Sequence, residues 1–318
     1  VSKMMQTQVY YFSGTGNTYA LAKAIASHIR AELISIPSVM ESSIVHIDAA
    51  QIVVVFPCYL ALLSGMPLMV ERFVRKIDAI EALEIHAVCN CGGYECVNAL
   101  PSLHEFERAV KSCGGKLHAA HSVRLPMNNL DYDHIPVPIN RDSGDIIEKS
   151  KVRMERISSR ITRKEKTRYI LPKKMLSCIM RPFIKLAGPS INNELKKRAL
   201  EPVTSGLNYH DLIPMTDKSI RVDEGCIGCG TCAKICPAGN IQIVNEKPVF
   251  LHRCEMCFAC DEWCPTNSIH HWSRKNGVKY HHPDVTLAEM LGQKADGFNT
   301  TRQSSTMEAE GTENEHIK

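Results

Sequence analysis

The stretch Val9-Tyr-Tyr-Phe-Ser-Gly-Thr-Gly-Asn-Thr18, continued through Ile29, decides the fold of the N-terminal half. Val9 to Phe12 is a run of β-branched and aromatic residues that reads as a buried strand, and Asn17 to Ile29 has the spacing of an amphipathic helix. A glycine-rich turn therefore joins a strand to the start of a helix. At such a junction the unpaired backbone N–H groups and the positive helix end make an anion site. The candidate residues are Ser13, Gly14, Thr15, Gly16, Asn17 and Thr18, whose hydroxyl and amide side chains add neutral donors. A nucleoside triphosphate loop would need Gly-Lys-Ser/Thr, but the first lysine after the turn is Lys23. The dinucleotide pattern G-x-G-x-x-G fails as well, because Tyr19 stands at the third glycine position.

Outward from this turn the strand and helix patterns keep alternating. Leu33 to Ile36, Ile52 to Phe56, Glu84 to Asn90 and Lys116 to Val123 read as strands, while Leu68 to Val74 and Val97 to Ser112 read as helical. Continuous apolar strands in β–α alternation predict a parallel sheet covered on both faces. The uncharged run from Ile52 to Val70 has the length of a membrane span, but Pro57, Gly65 and Pro67 interrupt it, so a buried strand and a loop explain it better. With 44% hydrophobic and 23% charged residues the composition is that of a globular protein. The start, VSKMMQTQVYYF, lacks the layout of a secretory signal, and a cytoplasmic protein is expected.

The turn is similar to the phosphate loop of flavodoxins, whose S/T-x-T-G-x-T pattern is met by Ser13, Thr15, Gly16 and Thr18. The resemblance covers about residues 1–125 and implies a flavodoxin-like, doubly wound α/β sheet that binds FMN. Ligands in such sheets lie beyond the C-terminal strand ends. The flavin ring is therefore expected near Pro57, Cys58 and Tyr59 after the third strand, and near Asn90, Cys91, Gly92, Gly93 and Tyr94 after the fourth. Tyr59 and Tyr94 could stack on the ring or simply pack, and Gly92 and Gly93 permit close backbone approach. Asn128 is a weaker candidate.

The C-terminal third carries a different signal. Cys226-Ile-Gly-Cys-Gly-Thr-Cys-Ala-Lys-Ile-Cys-Pro237 recurs as Cys254-Glu-Met-Cys-Phe-Ala-Cys-Asp-Glu-Trp-Cys-Pro265. Fourteen cysteines in a chain expected in a reducing compartment point to metal or redox chemistry rather than disulfides. Thiolate sets suit iron–sulfur clusters or zinc, but zinc sites rarely show this tripled spacing with a trailing proline. The run C-x2-C-x2-C-x3-C-P resembles two-cluster bacterial-type ferredoxins, in which the fourth cysteine ligates the other cluster. That resemblance implies a small α+β domain over residues 217–275 with two 4Fe–4S clusters. Cys226, Cys229, Cys232 and Cys264 would hold one cluster, and Cys254, Cys257, Cys260 and Cys236 the other. Cys58, Cys89, Cys91, Cys96 and Cys113 match no metal spacing and read as small core residues. His46, His118, His121, His281 and His282 form no recognisable ligand set.

Between the two signals, residues 126–216 read as a basic, largely helical connecting segment, with Arg153, Arg156, Arg160, Arg163, Lys164, Lys166 and Arg168 prominent. A solvated face is the plain reading; recognition of an acidic redox partner and contact with a membrane surface are the others. Nucleic acid binding has no support beyond a net charge of +4. The polar stretch 292–318 reads as a disordered tail. Taken together the chain resembles the flavodoxin–ferredoxin fusions of anaerobic microbes. The resemblance implies an electron-transfer flavo-iron–sulfur protein; the alternative is an FMN-dependent oxidoreductase that reduces a quinone, a nitro compound or a metal complex. The oligomeric state is not legible.

Overall fold

A computed structural model describes residues 5–59, 65–92, 95–127, 143–166, 188–272 and 279–294. Five strands, β1 (Met5–Tyr11), β2 (Glu32–Ser35), β3 (Ala49–Pro57), β4 (Glu84–Cys91) and β5 (Leu117–Arg124), form one sheet in the order β2-β1-β3-β4-β5. All its pairings are parallel. This is the flavodoxin-like winding, whose switch point lies between β1 and β3.

Period-two alternation sorts the strand side chains into two cores. Val9, Tyr11, Val53, Val55 and Val88 face α1 (Asn17–Ile29) and share a core with its Leu21, Ala22 and Ile25. Tyr10, Ile52, Val54 and Phe56 face the other way, against α2 (Leu68–Lys76) and α3 (Glu95–Ser112), through Phe73, Leu103 and Phe106. Phe56 stacks on Phe106 at 5.1 Å between ring centroids. Of the uncharged run Ile52 to Val70, the first part is β3, buried mid-sheet, and Leu68 to Val70 open α2; residues 60–64 lie outside the described residues. No helix among the described residues is long and apolar enough to cross a membrane.

The expected connecting segment is in part a component of the sheet domain. Helix α4 (Ser143–Thr162) buries Ile157 and Ile161 in the same core as α1 and keeps its basic residues outward. A further helical stretch, 188–198, and α5 (Tyr209–Met215) pack Leu195, Ala199, Leu212 and Ile213 between Leu68 of the sheet domain and Met256 and Phe258 of the cysteine-rich domain. Lys166 lies at the edge of the described residues; Arg168 lies outside them, as does the mixed apolar and basic stretch through residue 187.

In the cysteine-rich domain β6 (Arg221–Val222) pairs antiparallel with β9 (Ile269–His270), and β7 (Ile241–Val244) with β8 (Lys247–Phe250). The β7–β8 hairpin turns on Asn245 and Glu246, both at positive φ, as a tight two-residue turn requires. Each cysteine run leads into a short helix, α6 (Thr231–Ile235) or α7 (Ala259–Glu262). Beyond them, α8 (Leu287–Gly292) returns to the sheet domain, with Met290 and Val285 in its main core. Of the expected tail, residues 292–294 close this helix and Gln293 is buried, because its side chain bonds back to Met290 O; residues 295–318 lie outside the described residues.

Candidate functional site

The two cysteine runs fold around two separate cavities. One is lined by Cys236, Cys254, Cys257 and Cys260 with apolar cover from Ile241, Phe250 and Phe258. The other is lined by Cys226, Cys229, Cys232 and Cys264 with Ile243, Pro248 and Ile269. In each set three cysteines come from one run and the fourth from the other, the grouping expected from the sequence. The first, inner set faces the sheet domain, where Cys257 O packs on Gly14; the second is the outer set.

The donor chemistry of the inner set fits a cationic metal core. Burial pushes the Cys254 thiol up to about 12, and Cys257 and Cys260 also well above the usual thiol range. Four thiolates can share such a cavity only around compensating positive charge. Backbone amides already point at two of the sulfurs: Asn240 N–H donates to Cys236 Sγ at 3.3 Å and Met256 N–H to Cys254 Sγ at 3.2 Å. In the outer set Cys229 is exposed, and Cys226 and Cys264 are half-buried.

The glycine-rich turn lies directly beside the inner set. Ser13, Thr15, Asn17 and Thr18 are all buried. The N-cap of α1 is Gly16 at φ 93°, with no side-chain cap and no acidic residue in the first turn. A buried, uncapped positive helix end ringed by hydroxyls fits an anion such as a phosphate. Thr18 Oγ1 donates to Asn90 Oδ1 at 2.6 Å, and Asn17 Nδ2 donates to Pro126 O at 2.8 Å, so these side chains brace the loop to the β4 and β5 ends.

The other expected contacts divide. Pro57 and Asn90 are register partners at the ends of β3 and β4. The half-buried Cys58 donates from Sγ to Asn98 O at 2.8 Å, and desolvation pushes its thiol up to about 12, so it is a neutral packed group; Cys91 is buried. Tyr59 is in the main core, edge-on to Phe12 at 6.4 Å. Burial, followed by the nearby Cys257 and Glu255, raises its hydroxyl well above the usual range. Gly92 packs against Met127, where a Cβ would come within 2.6 Å. Gly93, Tyr94 and Asn128 lie outside the described residues, as does the Cys96 side chain.

Sequence reasoning missed the residues that join the two domains. A Cβ on Gly14 would lie 2.1 Å from the Cys257 carbonyl oxygen. Trp263 Nε1–H donates to Gly14 O at 3.1 Å, and His282 N–H donates to Thr15 O at 3.0 Å. Tyr280 Oη donates to Asn17 Oδ1 at 2.8 Å, and Lys23 pairs with Glu289 at 2.7 Å. Glu255, between two inner cysteines, accepts from Met69 N–H and pairs with Arg72. No local pattern encodes such contacts, which span more than 180 residues. The structure also brings His118 together with Glu84 and His86, their ligand atoms all within 4.8 Å, although no spacing suggested it. Lys164 lies 3.4 Å from that carboxylate and already neutralises it.

Residues 218–265 match the family model of the 4Fe–4S dicluster domain. The polyferredoxin protein MvhB of Methanothermus fervidus is 45% identical over 51 residues, 15% of this chain and 12% of that protein. The uncharacterized ferredoxin MJ0155 of Methanocaldococcus jannaschii is 42% identical over 55 residues, 17% of this chain and 31% of that protein. The chain thus spans less than a third of the length of these two relatives. A flavodoxin from the domain Archaea aligns with 50% of this chain and 98% of its own, at 19% identity and a TM-score of 0.32. The N-terminal fold rests on the strand order itself. The chain therefore joins a flavodoxin-like α/β fold to a domain that matches the 4Fe–4S dicluster type over residues 218–265.

Proposed function

We propose that the chain is an electron-transfer flavo-iron–sulfur protein that relays electrons between redox partners through two 4Fe–4S clusters and FMN. The observation that carries this reading is the junction: the inner cysteine set touches the glycine-rich turn through Cys257 O and Trp263. Cys236, Cys254, Cys257 and Cys260 would hold the inner cluster, and Cys226, Cys229, Cys232 and Cys264 the outer one. Ser13 to Thr18 would hold the FMN phosphate with neutral donors. FMN when bound supplies a centre able to take one or two electrons, and each cluster supplies one-electron exchange.

The chain's own residues set the surroundings of these groups. Phe250 and Phe258 help keep water from the inner sulfurs, and Asn240 and Met256 orient N–H groups onto them. At the outer set Lys247 Nζ donates to Cys226 O at 3.2 Å and Lys279 Nζ to Cys264 O at 2.8 Å, and Ile227, next to Cys226, is 68% exposed. Cations around an exposed apolar side chain suit a transient encounter with an acidic redox protein in the cytoplasm.

The test is composition. Protein purified and reconstituted without oxygen should carry about eight irons, four for each cysteine set, and should release FMN on heating. Zinc in place of iron, or a chain that never takes up flavin, would overturn the reading.

A further inference from the structure

The glycine-rich turn has two sides. One leads into the positive end of α1, where Gly16 is the N-cap, and the other presents the Gly14 and Thr15 carbonyl groups. In this structure the carbonyl side is occupied by the cysteine-rich domain and the segment after it. Gly14 O accepts from Trp263 Nε1–H at 3.1 Å, and Thr15 O accepts from His282 N–H at 3.0 Å. Tyr280 Oη donates to Asn17 Oδ1 at 2.8 Å, while the same asparagine donates through Nδ2 to Pro126 O. Asn17 is thereby fixed from both ends at the first position of the helix. Gly14 and Gly16 are close-packed as well: a Cβ on Gly14 would collide with Cys257 O, and one on Gly16 would lie 3.2 Å from His282 and Val285.

Such contacts restrain a loop without touching its ligand. A phosphate at a helix N-terminus needs several N–H groups held in one arrangement, and ordering a free glycine-rich turn costs conformational entropy at the moment of binding. A loop already held from behind loses less when the anion arrives. We infer that Trp263, Tyr280 and His282 are positioning residues of the flavin phosphate site, so that the iron–sulfur domain and the segment after it hold, from behind, the loop with which the sheet domain binds FMN. The inference rests on the reading of Ser13 to Thr18 as that phosphate loop. It also makes cluster assembly and flavin affinity reciprocal: whatever orders the inner cysteine run tightens the turn, and the bound phosphate steadies Cys257 in return.

The experiment uses the full chain with its iron–sulfur domain assembled, titrated with FMN and, separately, with riboflavin, which lacks the phosphate. Quenching of flavin fluorescence reads binding, and iron content is measured on each sample. Tyr280→Phe removes one hydroxyl and Trp263→Phe one N–H, so each should weaken FMN by about 3- to 10-fold. Riboflavin affinity and iron content should stay at the wild-type values, so the preference for FMN over riboflavin falls by the same factor. Because Trp263 adjoins Cys264, a loss of iron in Trp263→Phe leaves Tyr280→Phe to decide. Unchanged FMN affinity in Tyr280→Phe, or an equal weakening of both flavins, overturns the positioning role alone. A wild-type chain that binds riboflavin and FMN equally, or neither, overturns the phosphate loop itself and the positioning role with it.

Discussion

The two cysteine sets have the same spacing in sequence and different surroundings in the fold. The inner set is the more enclosed: Cys236 and Cys257 are buried and Cys254 and Cys260 half-buried, Gly14 of the sheet domain presses on Cys257, and Glu255 within its run is tied to Met69 and Arg72. The outer set is more open, with Cys229 exposed, Cys226 and Cys264 half-buried and only Cys232 buried, against Ile243, Pro248, Pro265 and Ile269. A repeated motif has thus been divided by its neighbours into a site that faces the flavodoxin-like domain and a site that faces solvent. Solvent exposure and hydrogen bonds to sulfur set the potentials of such centres, so equal ligand sets need not be equal in redox behaviour.

The sharpest way to break this comparison is to remove one ligand from each site. Cys257→Ala and Cys229→Ala should each lower iron from about eight to about four per chain, since one cluster is lost and one kept. They should differ in what else they change. Losing Cys257 loosens the segment that packs on Gly14, so Cys257→Ala should become far more sensitive to proteolysis between the domains, whereas Cys229→Ala should not. The crossing of ligands adds a second readout. Cys236→Ala should abolish the same reduced-cluster resonance as Cys257→Ala, and Cys264→Ala the same one as Cys229→Ala; the opposite pattern would place each fourth cysteine in its own run.

A smaller effect should come from the contact itself. Gly14→Ala puts a methyl group where the Cys257 carbonyl oxygen stands, 2.1 Å away, and backbone cannot move aside as a flexible side chain can. Overpacking of this kind costs about 1–3 kcal/mol. The thermal midpoint should fall by roughly 2–10 °C, read by circular dichroism on the cluster-loaded chain. A midpoint unchanged from wild type would mean that the two domains are not packed at this point.

How much of this was legible in the sequence depends on how local the cause was. The sheet was legible because each strand carries its own apolar run, and Val9 to Phe12 followed by Gly14 and Gly16 marks the first β–α junction without help from elsewhere. The grouping of the cysteines followed from the resemblance of the two runs to two-cluster ferredoxins, since their spacing alone leaves open whether each fourth cysteine serves its own run or the other. Helix α4 was harder. Its conspicuous residues are the outward Arg153, Arg156 and Arg160, while the burying positions Ile147, Ile157 and Ile161 are few enough to be lost among them. The segment 279–294 was not legible at all, since Tyr280, His282, Val285 and Met290 act singly and each partner is far away in the chain. Tyr59 reads from sequence either as a ring contact or as plain packing, and its side chain lies in the core edge-on to Phe12.

The enclosed inner site matters for function only if it communicates with the flavin within one molecule. Stopped-flow reduction of the reconstituted chain by dithionite, followed at flavin and iron–sulfur wavelengths over a range of protein dilutions, measures this directly. The structure predicts linked bleaching of both chromophores, with the step that connects them keeping the same rate constant at every dilution. A connecting step that slows in proportion to protein concentration, or two bleaching phases that respond independently, would contradict it.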